Sequence, residues 1–247
     1  MSSQLKGYKG RGVVLHTLKY GDNSIIVQLL TDRVGRQSYI VQGVRSSRGR
    51  GSKAALFQPF FVVDFEGLNS SKADLHRFRE VSNGLTLRRT PFDIRRSTVA
   101  LFCAEVIYRL VREGEQNRGL FGFVLEAVEV LDTIDDGVEN FHLWFLANLS
   151  RELGFTPSGE WREGDWLDVP MGEFVGHKPL HNNYLPQNET ALIARLLTME
   201  VTTLGSLRLN RVERTNCLES LLRYYGFHLD TIYNVQSLAI LKEIFWG

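Results

Sequence analysis

Cysteine is scarce in this chain: Cys103 and Cys217 are the only two among 247 residues. Two thiols cannot staple a disulfide scaffold or fill a four-cysteine zinc site, and both are read as small core residues of helices. Long apolar runs are missing as well. No stretch approaches the roughly 18–20 apolar residues that span a bilayer, and the opening MSSQLKGYKGRG has no apolar core of the secretory kind. A soluble protein of a reducing compartment is expected, with no membrane partner. The phosphate-binding pattern G-x-x-x-x-G-K-[ST] is absent. Gly10-Arg11-Gly12 and Gly49-Arg50-Gly51 lack the strand–turn–helix setting of a dinucleotide fingerprint. No Ser, Cys or His occupies a recognisable nucleophile setting. Together these absences favour a binding module over an enzyme, with no cofactor and no catalytic residue.

Acid is scarce at one end only. Residues 1–53 hold ten Lys and Arg against Asp22 and Asp32, a surplus of eight on a chain whose formal net charge is +1, so residues 54–247 carry −7. The densest part is Val41–Lys53, VQGVRSSRGRGSK, with Arg45, Arg48, Arg50 and Lys53, no anion, and glycines and serines between them. A cationic loop of this composition suits a polyanion held by its backbone, because guanidinium groups can follow a row of phosphates. Arg33 and Arg36 in a neighbouring turn extend the set. A basic end joined to an acidic remainder points to nucleic acid. The basic segment is not an amphipathic helix and carries no lipidation motif, which argues against a membrane surface.

Hydrophobic periodicity divides the chain near residue 82. Val13, Leu15 and Thr17 alternate with Val14, His16 and Leu18, and Ile25, Val27 and Leu29 with Ile26, Gln28 and Leu30. Tyr20-Gly21-Asp22-Asn23 between them has turn chemistry. Further strands are expected at Gln37–Gln42, Phe60–Phe65 and, more weakly, Leu75–Val81. Five short strands fit a five-stranded OB-type β-barrel over residues 1–82, with an SH3-like barrel as the rival. From about residue 90 the period becomes 3.6: Val99, Phe102, Cys103, Val106, Ile107, Leu110 and Val111 mark one helix. Phe121–Val128, Val138–Leu149, Leu218–Tyr225 and Leu238–Phe245 mark others. The fold class is therefore α+β, a barrel followed by a helical domain at 83–247 with an irregular insertion at 155–187.

That insertion gathers Glu160, Glu163, Asp165, Asp168, Glu173, His177 and His181. His177 and His181 are four apart, a metal-ligand spacing on a helix, but Pro179 between them breaks one. No metal is expected. Its apolar groups, Trp161, Trp166, Leu167, Phe174 and Val175, are expected to dock on the helices instead. Among aromatics near the basic elements, Tyr20 and Tyr39 are the candidates for base stacking. Phe60 and Phe61, if adjacent on one strand, would point to opposite sides, only one of them into the barrel.

The order of motifs resembles the RecO family of DNA repair proteins, the bacterial recombination mediators. The matching residues are Gly12–Leu15, Tyr20–Val27, Leu30-Thr31, Gly35-Arg36, Gln42–Arg45 with the basic loop, and Leu56–Phe60. Leu153–Pro157 and Ser237–Glu243 match downstream. The resemblance implies an N-terminal OB-fold, a helical C-terminal domain and no catalytic site. It also implies binding of single- and double-stranded DNA, annealing of complementary strands, and partnership with RecR and the single-strand DNA-binding protein in loading RecA. A cytoplasmic, nucleoid-associated location goes with that role. Many members carry a four-cysteine zinc motif in the insertion; residues 158–187 here have no cysteine, so zinc is not carried over. The C-terminal tail of the single-strand DNA-binding protein, acidic and apolar, would need a groove between helices with cations at its rim. Arg208, Arg211, Arg214 and Arg223 are the dense cluster available for it. An OB-fold RNA-binding factor is the alternative reading, and a metal-dependent hydrolase using the 160–181 insertion a more distant one.

Overall fold

The computed structural model describes residues 6–44, 53–69, 75–229 and 234–246. The N-terminal strands are β1 (Lys6–Tyr20), β2 (Ser24–Thr31), β3 (Gly35–Gln42), β4 (Val62–Asn69) and β5 (His76–Asn83). They close into a barrel in the order β1-β2-β3-β5-β4. β1 is long enough to pair with β4 through Lys6–Val13 and with β2 through Gly12–Tyr20. The seam is made by β3 and β5, which meet in parallel at Tyr39–His76 and Ile40–Arg77. This strand order with its parallel seam is the OB arrangement and excludes the SH3-like rival. The barrel core is Val14, Val27, Leu29, Tyr39, Val41, Val63 and Phe65, with Phe57 and Val44 beside them. Burying each such side chain stabilises the fold by about 1.5–3 kcal/mol.

Two strand-level expectations fail for identifiable reasons. β1 carries a bulge at Leu15, where the register against β2 shifts between Val14 and His16. An extra residue flips the alternation that follows. Val14 and Thr17 therefore point inward and Val13, His16 and Leu18 outward. Phe60 and Phe61 are not on a strand. Phe60 has φ 69°, its N–H donates to the Val14 carbonyl at 2.7 Å, and the Val14 N–H donates to the Phe61 carbonyl at 2.8 Å. The positive φ uncouples the pair from strand alternation: Phe60 is buried, and Phe61 packs against the barrel core.

Two helices, α1 (Ile94–Leu110) and α2 (Arg118–Thr133), follow the barrel. The chain divides into two compact units, Met1–Asp132 and Thr133–Gly247, so α1 and nearly all of α2 group with the barrel. Asp93 caps α1 by accepting from the Arg95 N–H at 2.8 Å. Asp132 anchors the segment that leads into α1: its carboxylate accepts backbone N–H bonds from Arg88 (2.8 Å), Arg89 (2.9 Å) and Thr90 (2.8 Å). Burial opposes the charge on Asp132, but these three bonds outweigh it and hold the carboxyl below its usual range.

The second unit is built around α3 (Val138–Glu152), whose Phe141, Leu143, Phe145, Leu146, Ala147 and Leu149 are all buried. α4 (Gln187–Thr198) and α5 (Arg211–His228) pack on it, and α6 (Ser237–Trp246) closes the described chain. The Tyr225 hydroxyl donates to the Leu146 carbonyl at 2.7 Å, tying α5 to α3. α5 begins with a reciprocal Asn210–Glu213 capping box. The segment expected to be irregular instead contains three short strands, β6 (Trp166–Asp168), β7 (Glu173–Val175) and β8 (Tyr184–Leu185), in the order β7-β6-β8. Leu167, Val169 and Leu185 are fully buried, and β6 packs on α4. Cys103 and Cys217 are buried free thiols, both raised by burial. Among the described residues no helix is long and apolar enough to cross a membrane.

Candidate nucleic-acid interface

Strand alternation assigns each outward side chain of β1, β2 and β3 to a row across the barrel. The rows read Val13–Leu30–Arg36, then His16–Gln28–Ser38, then Leu18–Ile26–Ile40 with Arg77 of β5, then Tyr20–Ser24–Gln42. The first two rows lie under α1 and the segment after it. α1 packs on β1; Val13 and Leu30 are buried; His16 stacks on Tyr108 with ring centroids 4.8 Å apart. Gln28 donates to Ser38 at 2.9 Å, and the Ser38 hydroxyl to Glu113 at 2.9 Å. Burial lowers the His16 imidazole below its ordinary value, so it is neutral at pH 7 and adds no cation here.

The other two rows are open. Leu18 is 44% exposed and Tyr20 51%, while Ile26 and Ile40 are half-buried between them. Arg77 and Arg79 of β5 border this strip, and both are exposed; Arg79 pairs with Glu66 at 2.9 Å. The strip combines a projecting aromatic, an apolar floor and two guanidinium groups, the features with which a single strand is held by stacking and phosphate contact. Val44 N–H donates to the Asn23 carbonyl at 3.1 Å, so the chain leaves β3 beside the Tyr20 turn at this same end.

Of the cations nominated to meet phosphates, only the side chains of Arg33 and Arg36 fall among the described residues. Arg45, Arg48 and Arg50 lie outside the described residues, as does the side chain of Lys53, which opens a 3₁₀ turn at Lys53–Phe57. Arg33 projects from the β2–β3 turn, exposed, 3.7 Å from Asp32. Arg36 is engaged: it donates to the Tyr108 carbonyl at 3.1 Å and lies 4.9 Å from the centre of that ring. This turn sits at the opposite end of β3 from Gln42, roughly 23 Å away at about 3.3 Å per residue. On the β1–β4–β5 side, Lys9, Arg11 and Arg33 share a groove with Asp32, Asp64, Glu66 and Glu80. Arg11 and Asp64 form a two-pronged ion pair at 2.8 and 3.1 Å. Acids outnumber bases there, so the groove itself does not favour a polyanion; Arg33, exposed on the turn, stays available to one passing outside it.

Of the two tyrosines nominated for stacking, Tyr20 is exposed and Tyr39 is not. Tyr39 is fully buried in the barrel, stacked on Phe78 at 4.4 Å and bonded through its hydroxyl to Tyr8 and Gln37. It pairs with inward-facing Val27, and that parity removes it from the surface. Leu18, Ile26, Ile40, Arg77 and Arg79 were not singled out from sequence; the signal for them was the parity of Tyr20.

In the second unit, two of the four nominated arginines serve the fold. Arg214 donates to Asn140 Oδ1 at 3.1 Å and to the Leu209 carbonyl at 3.0 Å; Arg223 donates to the Asn182 carbonyl at 2.8 Å. Arg208 and Arg211 are exposed. Within the same unit a cleft of about 700 Å³ is lined by Pro157, Trp161, Phe174, Ala194 and Leu197, with Arg151 and Arg195 among its polar groups. In the insertion, His181 bonds Asp168 at 3.0 Å, and His177 is exposed. No group of three or more His, Cys, Asp or Glu among the described residues is placed to hold a metal.

A closed five-stranded barrel in this strand order, followed by a helical region, defines a protein of the OB-fold class. Comparison narrows the class. Residues 5–83 match the family profile "Recombination protein O N terminal", and residues 91–235 match "Recombination protein O C terminal". Similar curated proteins, each named DNA repair protein RecO, include one from Phocaeicola vulgatus (38% identical, covering 95% of this chain and 97% of the relative). Others are from Bacteroides fragilis (37%, 95% and 97%) and Flavobacterium psychrophilum (32%, 96% and 98%). The chain belongs to the RecO family of DNA repair and recombination proteins, as the order of its motifs implied.

Proposed function

We propose that the protein is a recombination mediator that works by binding rather than catalysis. It holds single- and double-stranded DNA, anneals complementary strands, and assists RecA loading with RecR in the cytoplasm, at the nucleoid. Family membership supports the role, and the observation that carries the site is the open strip at the Tyr20 end of the barrel. Two complementary strands repel each other through their phosphates. Cations from Arg77, Arg79, Arg33 and the segment with Arg45, Arg48, Arg50 and Lys53 neutralise part of that repulsion, and the apolar floor beside Tyr20 accepts bases irrespective of sequence. Such a surface needs no base-specific hydrogen bond, so weak sequence preference is expected.

The helical unit is assigned the acidic, apolar C-terminal tail of the single-strand DNA-binding protein. Arg208 and Arg211, exposed just before and at the start of α5, offer cations for the tail's carboxylates. The cleft with Arg151 and Arg195 supplies the apolar lining that such a tail requires, with cations at its edge. The test of the whole reading is annealing of complementary oligonucleotides in the presence of a metal chelator and without nucleotide. Acceleration that falls steeply with salt supports it; annealing no faster than spontaneous pairing refutes it.

A further inference from the structure

The turn that enters α1 carries a side chain the fold does not use. Phe92 is 85% exposed and Ile94 66% exposed, on the sequence Leu87-Arg88-Arg89-Thr90-Pro91-Phe92-Asp93-Ile94-Arg95-Arg96. The backbone beneath them is fixed. Asp132 accepts three N–H bonds from Arg88, Arg89 and Thr90; Thr90 is buried; and the N–H groups of Phe92 and Asp93 donate to the Arg89 carbonyl at 2.9 and 3.0 Å. The acid inside the turn is occupied, since Asp93 caps α1 and meets Arg96 Nε at 3.2 Å. Arg96 itself is buried and donates to the Leu131 carbonyl. Arg88, Arg89 and Arg95, close to Phe92 in sequence, are exposed.

We propose that this turn is a second contact for single-stranded DNA, with Phe92 as a stacking platform for one base and Arg88 meeting a flanking phosphate. The inference rests on the DNA-binding reading given above and adds a site outside the barrel strands. The backbone beneath the ring is fixed and a phenylalanine side chain has only two torsions, so a base settling there orders little more than one rotamer. The exposed Arg88, four residues before Phe92, suits a phosphate flanking the stacked base. A protein partner is the poorer fit. A specific protein interface takes about 800 Å² from each side, and two exposed apolar side chains on one turn offer far less.

The experiment uses the full chain and an oligo-dT strand carrying one central 2-aminopurine, whose fluorescence is quenched when it stacks. Phe92→Ala and Phe92→Leu should each weaken binding about five- to tenfold, the loss of one stacked base, and should reduce the quenching. Phe92→Trp should keep both. Thermal melting should be unchanged in all three, because the ring buries almost nothing. Arg88→Ala should lower the log–log salt slope by about 0.7, leaving its backbone bond to Asp132 in place. Wild-type affinity and quenching in Phe92→Leu would overturn the proposal while the barrel reading stands. Weakening in Phe92→Ala with full recovery in Phe92→Leu would overturn stacking in favour of a plain apolar contact. Failure of the unmodified chain to bind the strand would overturn both readings.

Discussion

The outward face of β1, β2 and β3 is put to two uses. At the Arg36 end its side chains are a second core: Val13 and Leu30 are buried, and Arg36 and His16 are held against Tyr108. At the Tyr20 end the same strands, in the same register, present Leu18, Ile26, Ile40 and Tyr20 with Arg77 at their edge. Nothing in the strands themselves separates the halves. The division is imposed by where α1 lies and where it ends. An apolar residue on such a face is structural or available according to its neighbour from another element, and the local pattern does not carry that information.

The largest effect should come from cutting the covered half. Leu30→Ala removes a fully buried side chain and should cost about 3 kcal/mol in urea unfolding. Ile26→Ala, two rows along on the same strand, should cost about 1 kcal/mol or less and should weaken single-strand binding instead. Equal stability losses would erase the distinction between the halves.

Next comes the anchor of the segment that leads into the covering helix. Asp132→Asn weakens three N–H bonds to a charged acceptor and should cost about 2 kcal/mol. The sign with pH follows from the lowered carboxyl value. The contribution is complete at neutral pH and is lost as pH falls from about 4, the unfolded value, through the lower folded one. Acid titration of the unfolding midpoint should therefore be shallower in Asp132→Asn than in the wild type. Parallel titration curves would remove Asp132 from the account.

A smaller effect is expected at the open end. Tyr20→Ala should reduce single-stranded DNA affinity about five- to tenfold with unchanged melting, one stacked base lost. Smallest is the contrast between Arg33 and Arg36. Arg33→Ala should lower the log–log salt slope by about 0.7 with no change in stability. Arg36→Ala should leave the slope alone and cost about 1–2 kcal/mol through the lost bond to Tyr108. A slope change in Arg36→Ala would return that residue to the interface.

Much of the architecture was legible in the residues. Alternation marked the five strands, and Gly21, with φ 64°, sits in the turn expected between β1 and β2. The 3.6 period located α1, α2, α3, α5 and α6. What escaped shares a cause: it depends on partners distant in sequence. The bulge at Leu15 is visible only against β2, and without it the two faces of β1 are exchanged. Tyr20 and Tyr39 look alike as aromatics beside basic turns, yet the parity against Val27 buries one of them. β6, β7 and β8 are two or three residues long, too short for any period to show. Arg214 and Arg223 read as a surface cluster because the carbonyls they serve, on Leu209 and Asn182, carry no mark in a one-dimensional pattern. Charge density located the basic end, but it could not distinguish an arginine facing solvent from one already holding the chain together.

Gly35 shows how closely the barrel and its following segment are fitted. A Cβ built there would stand 2.0 Å from the Glu115 carbonyl oxygen, at a φ of 72° that side chains other than glycine's rarely adopt. One residue on, the Arg36 carbonyl accepts from the Gly114 N–H at 2.9 Å, and Arg36 bridges Glu113 in parallel, as though the sheet continued for one more residue. The practical result concerns where the polypeptide can be cut. The boundary between the two family profiles falls between residues 83 and 91, but a chain ended there would uncover Val13 and Leu30 together. Such a truncated barrel should precipitate or self-associate. Extending it to residue 132 should restore a soluble, cooperatively melting piece, making the OB barrel of this protein a module in name that needs its first helices to stand alone.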